Sequence, residues 1–269
     1  MAVRLIAVDM DGSFLDDQMR YNRPRFARLH QLMVKRGVRF VVASGNQYFQ
    51  LRSFFADYDD IIYVAENGAY VTDSTTEYFV SAFTAPQVAA TLEQLGRVPE
   101  VEAVVCGKRS AYALNSAGAE FLSVMGNYYH RLELVSSLDH IDDQILKFAL
   151  ATPNSLTLSI LGVLRQGLAG VAVPVSSGHG SIDLIQPGVH KGSALTRLGT
   201  ALGIDPGDMI AFGDGGNDIE MLQLVGCGVA MANAPDHIKA HADAVTGSNN
   251  DEGVLEFIER ALATTGNPA

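Results

Sequence analysis

The chain has 269 residues, 48% of them apolar and 18% charged, with a formal net charge of -11. That is material for one large domain or two moderate ones. It argues against a nucleic-acid backbone as partner, because such affinity comes from basic patches. No window of about 18 uninterrupted apolar residues offers a membrane span.

The N-terminus runs straight into a strand pattern, without the basic stretch and apolar core of a signal peptide, so the expected compartment is the cytoplasm. Cys106 and Cys227 lie far apart in apolar surroundings and read as small core residues, not as a disulfide framework.

The first strand is an apolar run from Val3 to Val8, broken only by Arg4. It ends in Asp9-Met10-Asp11-Gly12, two carboxylates and a glycine that lets the chain turn. Such a stretch is either a solvated turn or a reactive site, since ligands of open α/β sheets bind beyond the carboxyl ends of the strands. Asn22 caps a helix with Pro24 in its first turn, and Gly37 ends it. Val38 to Ala43 is a wholly buried strand pattern, ending in Ser44-Gly45-Asn46. Here a hydroxyl beside a bare N–H suits a phosphate oxygen or simply caps the next helix. Ile61 to Ala65 is a third strand, followed by the turn Glu66-Asn67-Gly68 and a hairpin of Ala69 to Thr72 with Glu77 to Phe83. Strand and helix alternate, as in a parallel sheet with crossover helices.

After Phe83 the rhythm changes to paired strands between helices, the pattern of an α+β insertion. Its strands are Val101 to Cys106, Ser110 to Leu114, Arg131 to Val135, Ile145 to Leu150 and Val171 to Val175, with a helix over roughly Pro153 to Gln166 before the last of them. The expected division is a core of residues 1–83 and 182–269 and an insertion of residues 84–181. Alternation then returns. His190-Lys191-Gly192-Ser193 opens a helix, where the dipole disfavours a cation, so Lys191 is either an exposed lysine or one set to meet an anion. Asp208 to Phe212 is a strand that ends in Gly213-Asp214-Gly215-Gly216-Asn217-Asp218, either a hard-cation loop or an ordinary polar turn. Asp251 to Leu262 is the last amphipathic helix. Four sites thus border predicted strands of one sheet, with acids expected on the outer elements and phosphate-type donors between them.

These motifs resemble the haloacid dehalogenase superfamily of phosphohydrolases, in its Cof-type branch acting on sugar phosphates. Asp9-Met10-Asp11-Gly12 matches the first motif, Ser44-Gly45-Asn46 the second, His190-Lys191-Gly192 the third and Gly213-Asp214 through Asn217-Asp218 the fourth. Ser13 stands where threonine is common, and Asn46 where arginine is frequent. The resemblance implies a Rossmann-like parallel sheet core with an inserted α+β cap that sets specificity. It implies Asp9 as nucleophile, forming an aspartyl-phosphate, and Asp11 as general acid and base. Mg²⁺ would be held by Asp9, the Asp11 carbonyl and Asp214, with Asp218 orienting behind them. Lys191, Ser44, Asn217 and the N–H groups of Met10 and Gly45 would hold the phosphoryl oxygens. His179 is the first candidate for a substrate contact from the cap, with Lys108, Arg109, His130 and Arg131 as further polar cap residues.

The function so implied is a Mg²⁺-dependent phosphatase of small phosphate monoesters, most of all sugar phosphates. Its expected partner is a small phosphorylated metabolite, with no nucleic acid and no membrane, in a monomer or small homo-oligomer. The rival readings are a phosphomutase or phosphotransferase using the same nucleophile, and a non-catalytic phosphate-binding protein.

Overall fold

The computed structural model describes residues 3–178 and 180–264. The chain runs β1 (Leu5–Val8), α1 (Arg23–Lys35), β2 (Arg39–Ala43), α2 (Tyr48–Phe54), β3 (Ile62–Ala65), β4 (Tyr70–Thr72) and β5 (Glu77–Val80). It continues through α3 (Ala85–Leu95), β6 (Glu102–Gly107), β7 (Ala111–Leu114), α4 (Ala119–Tyr128), β8 (Leu132–Val135), β9 (Ile145–Ala151), α5 (Thr157–Gly167), β10 (Val173–Gly178) and β11 (Ser181–Ile185). It ends with α6 (Lys191–Leu202), β12 (Met209–Gly213), α7 (Ile219–Leu224), β13 (Cys227–Ala230), α8 (Asp236–Lys239), β14 (Ala244–Val245) and α9 (Gly253–Thr264).

The strands form two sheets. The larger has the order β14-β13-β12-β1-β2-β3-β4-β5 and the smaller β10-β11-β9-β6-β7-β8. In the larger, β14 through β3 are parallel, and β4 and β5 add an antiparallel edge. The smaller is antiparallel except for β7 beside β8. This is the expected α/β architecture: a parallel core sheet and an inserted α+β layer.

The central parallel strands are apolar, but for Arg39 at the exposed start of β2, because both of their faces are covered. Ile6, Val8, Phe40, Val42 and Phe212 pack on one face under α1 and α9, while Leu5, Ala7, Val41, Ala43 and Ala211 pack on the other under α6 and α7. Period-two alternation sends neighbours to opposite cores. Each buried Phe or Leu adds roughly 1.5–3 kcal/mol of transfer free energy. Some helix entries carry a side-chain cap. The Asn22 side chain accepts from Arg25 N at the start of α1, and Thr84 forms a reciprocal box with Gln87 at the start of α3.

The structure departs from the sequence pattern in three places. β11 extends to Ile185 and pairs with β9 and β10, so at residue 182 the chain is still inside the smaller sheet. The polar Asp183 at its centre hides this strand from an apolar-run reading. α5 starts at Thr157, after a turn over Pro153 to Leu156. The acids do not lie on outer elements: β12 and β1, which carry them, are neighbours in mid-sheet, and β2 with Ser44 is next to β1. Both cysteines are free, Cys106 buried and Cys227 half-buried. Among the described residues no helix is long and apolar enough to cross a membrane.

Candidate active site

The loop after β1 turns back on itself. Phe14 N donates to Asp9 O, and Leu15 N to Met10 O. The Phe14 ring lies 5.0 to 5.7 Å from Tyr21, Phe26, Phe40 and Phe55, an aromatic anchor beneath the two aspartates. Gly12 has φ +77, and a Cβ there would stand 2.5 Å from Asp214 Oδ2. Only glycine meets both conditions, and it lets the loops after β1 and β12 close on each other.

Lys191, at the start of α6, is fully buried. Its Nζ donates to Asp9 Oδ1 and to Asp218 Oδ1, both at 2.6 Å. The other oxygen of Asp218 accepts from the backbone N–H groups of Asp214 and Gly215, at 3.0 and 2.9 Å. Asp218 therefore holds both the lysine and the loop that presents Asp214. Ser13 Oγ donates to Asp214 Oδ1 at 2.9 Å. Asn46 Nδ2 donates to Asp11 Oδ2 at 2.6 Å, a contact the sequence reading did not anticipate. Met10 is buried between the two aspartates, and Ser44 is buried at the end of β2, its hydroxyl accepting from Asn46 N. The Asn217 amide donates to Asn67 Oδ1 at 3.1 Å. His179 lies outside the described residues. β10 packs against the turn of residues 216–218.

Burial pushes the Asp9 carboxyl well above the ordinary range; Lys191 opposes the rise, and Asp218, Asp214 and Asp11 add to it. Burial raises Asp11 too, against the pull of Asn46 and Lys191. Asp214 is pushed up to about 6 by burial and then by Asp218, with Ser13 opposing. Burial alone would lower Lys191, but Asp218 and Asp9 more than offset it, and its ammonium is held above the ordinary lysine value. One oxygen from each of Asp9, Asp214 and Asp218 lies within 4.8 Å of the others. Three carboxylates face one ammonium, so negative charge is in surplus. An all-oxygen donor set with surplus negative charge suits a hard divalent cation.

Beside this site lies a second buried set of charges. Lys147 on β9 contacts Asp183 on β11 at 3.1 Å and Glu66 at 3.4 Å. Glu66 and Asn67 both have positive φ, 52 and 56, an uncommon backbone for residues with side chains. Their N–H groups bond Asn46 O and Ser44 O, joining this turn to the loop after β2. Burial pushes Glu66 up to about 7, with Lys147 opposing and Asp183 adding. That lies above its ordinary value of 4.5, so the folded protein holds the proton longer than the unfolded chain does. The cost of ionising Glu66 in place is absent below its unfolded value and grows as pH rises toward 7. Above that it is complete, at about 3 kcal/mol. Relative to wild type, Glu66→Gln is expected to gain stability by up to that amount as pH rises. Melting curves from mildly acid to mildly alkaline pH are the check, and parallel curves for the two proteins would contradict the shift.

The polar cap residues divide by place. Lys108 pairs with Glu77 on β5 at 2.5 Å and lies over the Tyr70 ring. Arg131 exchanges two backbone hydrogen bonds with the Gln47 side chain, and its guanidinium lies 3.7 Å over the Phe49 ring. Both therefore tie the smaller sheet to the larger. Arg109 bonds within its own layer, to Asp142 and Asp143, and His130 is exposed.

A family model described as haloacid dehalogenase-like hydrolase matches residues 6–258. The chain is 46% identical to 5-amino-6-(5-phospho-D-ribitylamino)uracil phosphatase YbjI of Escherichia coli, over 97% of each chain. It is 27% identical to pyridoxal phosphate phosphatase YbhA of the same organism, covering 96% of this chain and 98% of that one. Among solved structures, SMU.1108c from Streptococcus mutans UA159 superposes with a TM-score of 0.92 at 33% identity, over 97% of this chain and 100% of the other. A parallel sheet with acids at its carboxyl rim, a family match over nearly the whole length and phosphatases as full-length relatives agree: the chain belongs to the haloacid dehalogenase-like hydrolases and is a phosphoric monoester hydrolase.

Proposed function

We propose that this phosphatase depends on Mg²⁺, forms an aspartyl-phosphate on Asp9, and acts on small metabolites phosphorylated on a sugar or sugar-alcohol chain. The observation that carries the reading is Lys191 Nζ at 2.6 Å from Asp9, with the Asp214 carboxylate within 4.8 Å of the same acid. A nucleophilic carboxylate and a phosphate repel each other, and this arrangement supplies one ammonium and a set of carboxylates that would hold a divalent cation between them.

In this reading an Asp9 oxygen bonds to phosphorus as the ester P–O bond breaks. The leaving alkoxide takes a proton from Asp11. Water then attacks the phosphoryl group on Asp9, giving up a proton to Asp11, and inorganic phosphate departs with Asp9 regenerated. The hydrogen bond from Asn46 aims the Asp11 carboxyl and leaves its other oxygen for this transfer. Lys191, Ser44, Asn217 and the N–H groups of Met10 and Gly45 hold the phosphoryl oxygens, because such transfers depend mainly on positioning and charge. Asp9, the Asp11 carbonyl and Asp214 would hold Mg²⁺, which would supply charge neutralisation between nucleophile and phosphate. Asp218 keeps Lys191 and the Asp214 loop in register.

We further take the layer from residue 84 to the end of β11 at Ile185 as the cap domain, which reads the substrate beyond its phosphate. The likeness to a ribitylamino-uracil phosphate phosphatase supports a phosphorylated polyol chain as the group read there. Phosphate release from 5-amino-6-(5-phospho-D-ribitylamino)uracil, pyridoxal phosphate and a panel of sugar phosphates tests this, with and without a chelator. The expected result is that the ribityl compound and sugar phosphates exceed pyridoxal phosphate in kcat/KM by about tenfold or more, and that activity stops on chelation and returns with Mg²⁺. Preference for pyridoxal phosphate would overturn the substrate class, and undiminished turnover in chelator would overturn the metal.

A further inference from the structure

Lys147 stands in the middle of the smaller sheet, yet it is only 3% exposed and its ammonium reaches the loops of the larger one. It donates to Gly45 O at 2.6 Å and to both oxygens of Asp183 at 3.1 and 3.2 Å. Asp183 Oδ2 in turn accepts from Asn67 Nδ2 at 2.6 Å, and Asn67 Oδ1 accepts from Asn217 at 3.1 Å. The packing around this chain of contacts is close. A Cβ on Gly45 would stand 3.0 Å from Asn67 Oδ1 and 3.3 Å from Asp183 Oδ2.

One end of this chain of contacts is the Asn217 amide. The other is Gly45 O, the carbonyl of the Gly45–Asn46 peptide, which adjoins the Gly45 N–H and whose own N–H bonds the Ser44 hydroxyl at 3.1 Å. Both ends thus reach groups that the proposed mechanism gives to the phosphoryl oxygens. Holding two sheets together does not require buried charge. Well-packed apolar side chains of similar volume often do as well or better, without the desolvation cost. Charges add direction, since an ammonium fixes a carbonyl and a carboxylate fixes an amide at a set distance. The Lys108–Glu77 pair serves as a built-in comparison, joining the same two layers at β5.

We propose that Lys147, acting with Asp183, is a positioning residue of the phosphate site. It fixes the Gly45–Asn46 peptide, and through it the adjoining Gly45 N–H and the Ser44 hydroxyl, together with the Asn67–Asn217 amides, and does so only while the smaller sheet is docked. Phosphate binding is thereby made conditional on closure. The proposal rests on the assignment of Gly45 and Asn217 to phosphate.

The test uses the full-length protein with Mg²⁺, an aryl phosphate as substrate and calorimetric titration of inorganic phosphate. Lys147→Met is expected to raise KM and the Kd of phosphate together, by about tenfold each. Lys108→Met, which removes a partly exposed ion pair between the same two layers without undocking them, is expected to leave both within roughly twofold of wild type. A folded Lys147→Met protein with wild-type KM and Kd would overturn the proposal, as would equal losses in the Lys108→Met protein. If Lys147→Met does not fold, Asp183→Asn keeps the volume and an acceptor for Asn67 but loses the charge that holds the lysine. It must weaken phosphate binding in the same way, and wild-type binding there overturns the proposal too. Failure of wild type itself to bind phosphate would instead sink the underlying site assignment, and this proposal with it.

Discussion

Asp9→Asn is expected to lower Mg²⁺-dependent phosphate release by roughly 10⁴-fold or more while melting no lower than wild type. The reason lies in what the substitution removes and what it keeps. An amide oxygen has nearly the shape of the carboxylate oxygen and can still accept from Lys191, which remains paired with Asp218. What disappears is the proposed nucleophile and one charge in a buried cluster of acids. That charge is held against burial and against Asp218, Asp214 and Asp11, as the raised Asp9 pKa records. Removing it relieves repulsion, so lost activity should not come with lost stability. Acid-quenched wild type, caught during turnover, should carry a phosphoryl group on the peptide containing Asp9, and the variant should carry none. Full activity in the variant would remove Asp9 as nucleophile. Inactivity with a large fall in melting temperature would make it a structural residue instead.

The parts of this site that could be read from sequence share one property: they sit where an apolar strand stops. Asp9 follows β1, Ser44 follows β2 and Asp214 follows β12, and in a parallel sheet those ends lie on one rim. Lys191 could be noticed because a cation at a helix start goes against the helix dipole. The order of the strands could not be read that way. Sequence order separates β1 from β12 by the whole inserted layer, and only pairing makes them neighbours. Lys147 is the clearest case of a partly visible residue. One lysine in the run Ile145 to Ala151 is an anomaly in a buried strand, but its contacts are 36 residues away at Asp183 and 102 away at Gly45. No local pattern carries that information. β11 was missed for the same reason, since the aspartate that interrupts its apolar pattern is satisfied by that distant lysine.

Lys191→Met is expected to have the largest effect on the fold itself. The ammonium is fully buried between Asp9 and Asp218. Taking away one partner of a buried ion pair leaves uncompensated charge, at a cost of about 3–5 kcal/mol. In a protein of this size that corresponds to a melting temperature lower by roughly 10 °C. The effect should depend on pH in a definite direction. The folded pKa of Lys191 lies above its ordinary 10.5, so its stabilisation is complete at neutral pH and is lost only in strong alkali. The deficit of the variant should therefore be full at neutral pH. It should shrink as acid protonates the carboxylates that the lysine had balanced. The double variant Lys191→Met, Asp218→Asn removes one of the stranded charges and is expected to recover part of the melting temperature without recovering activity, because no ammonium faces the phosphate. If Lys191→Met melts within a degree or two of wild type at neutral pH, the acids around Asp9 are balanced by something other than this lysine, and the electrostatic account of the site fails with it.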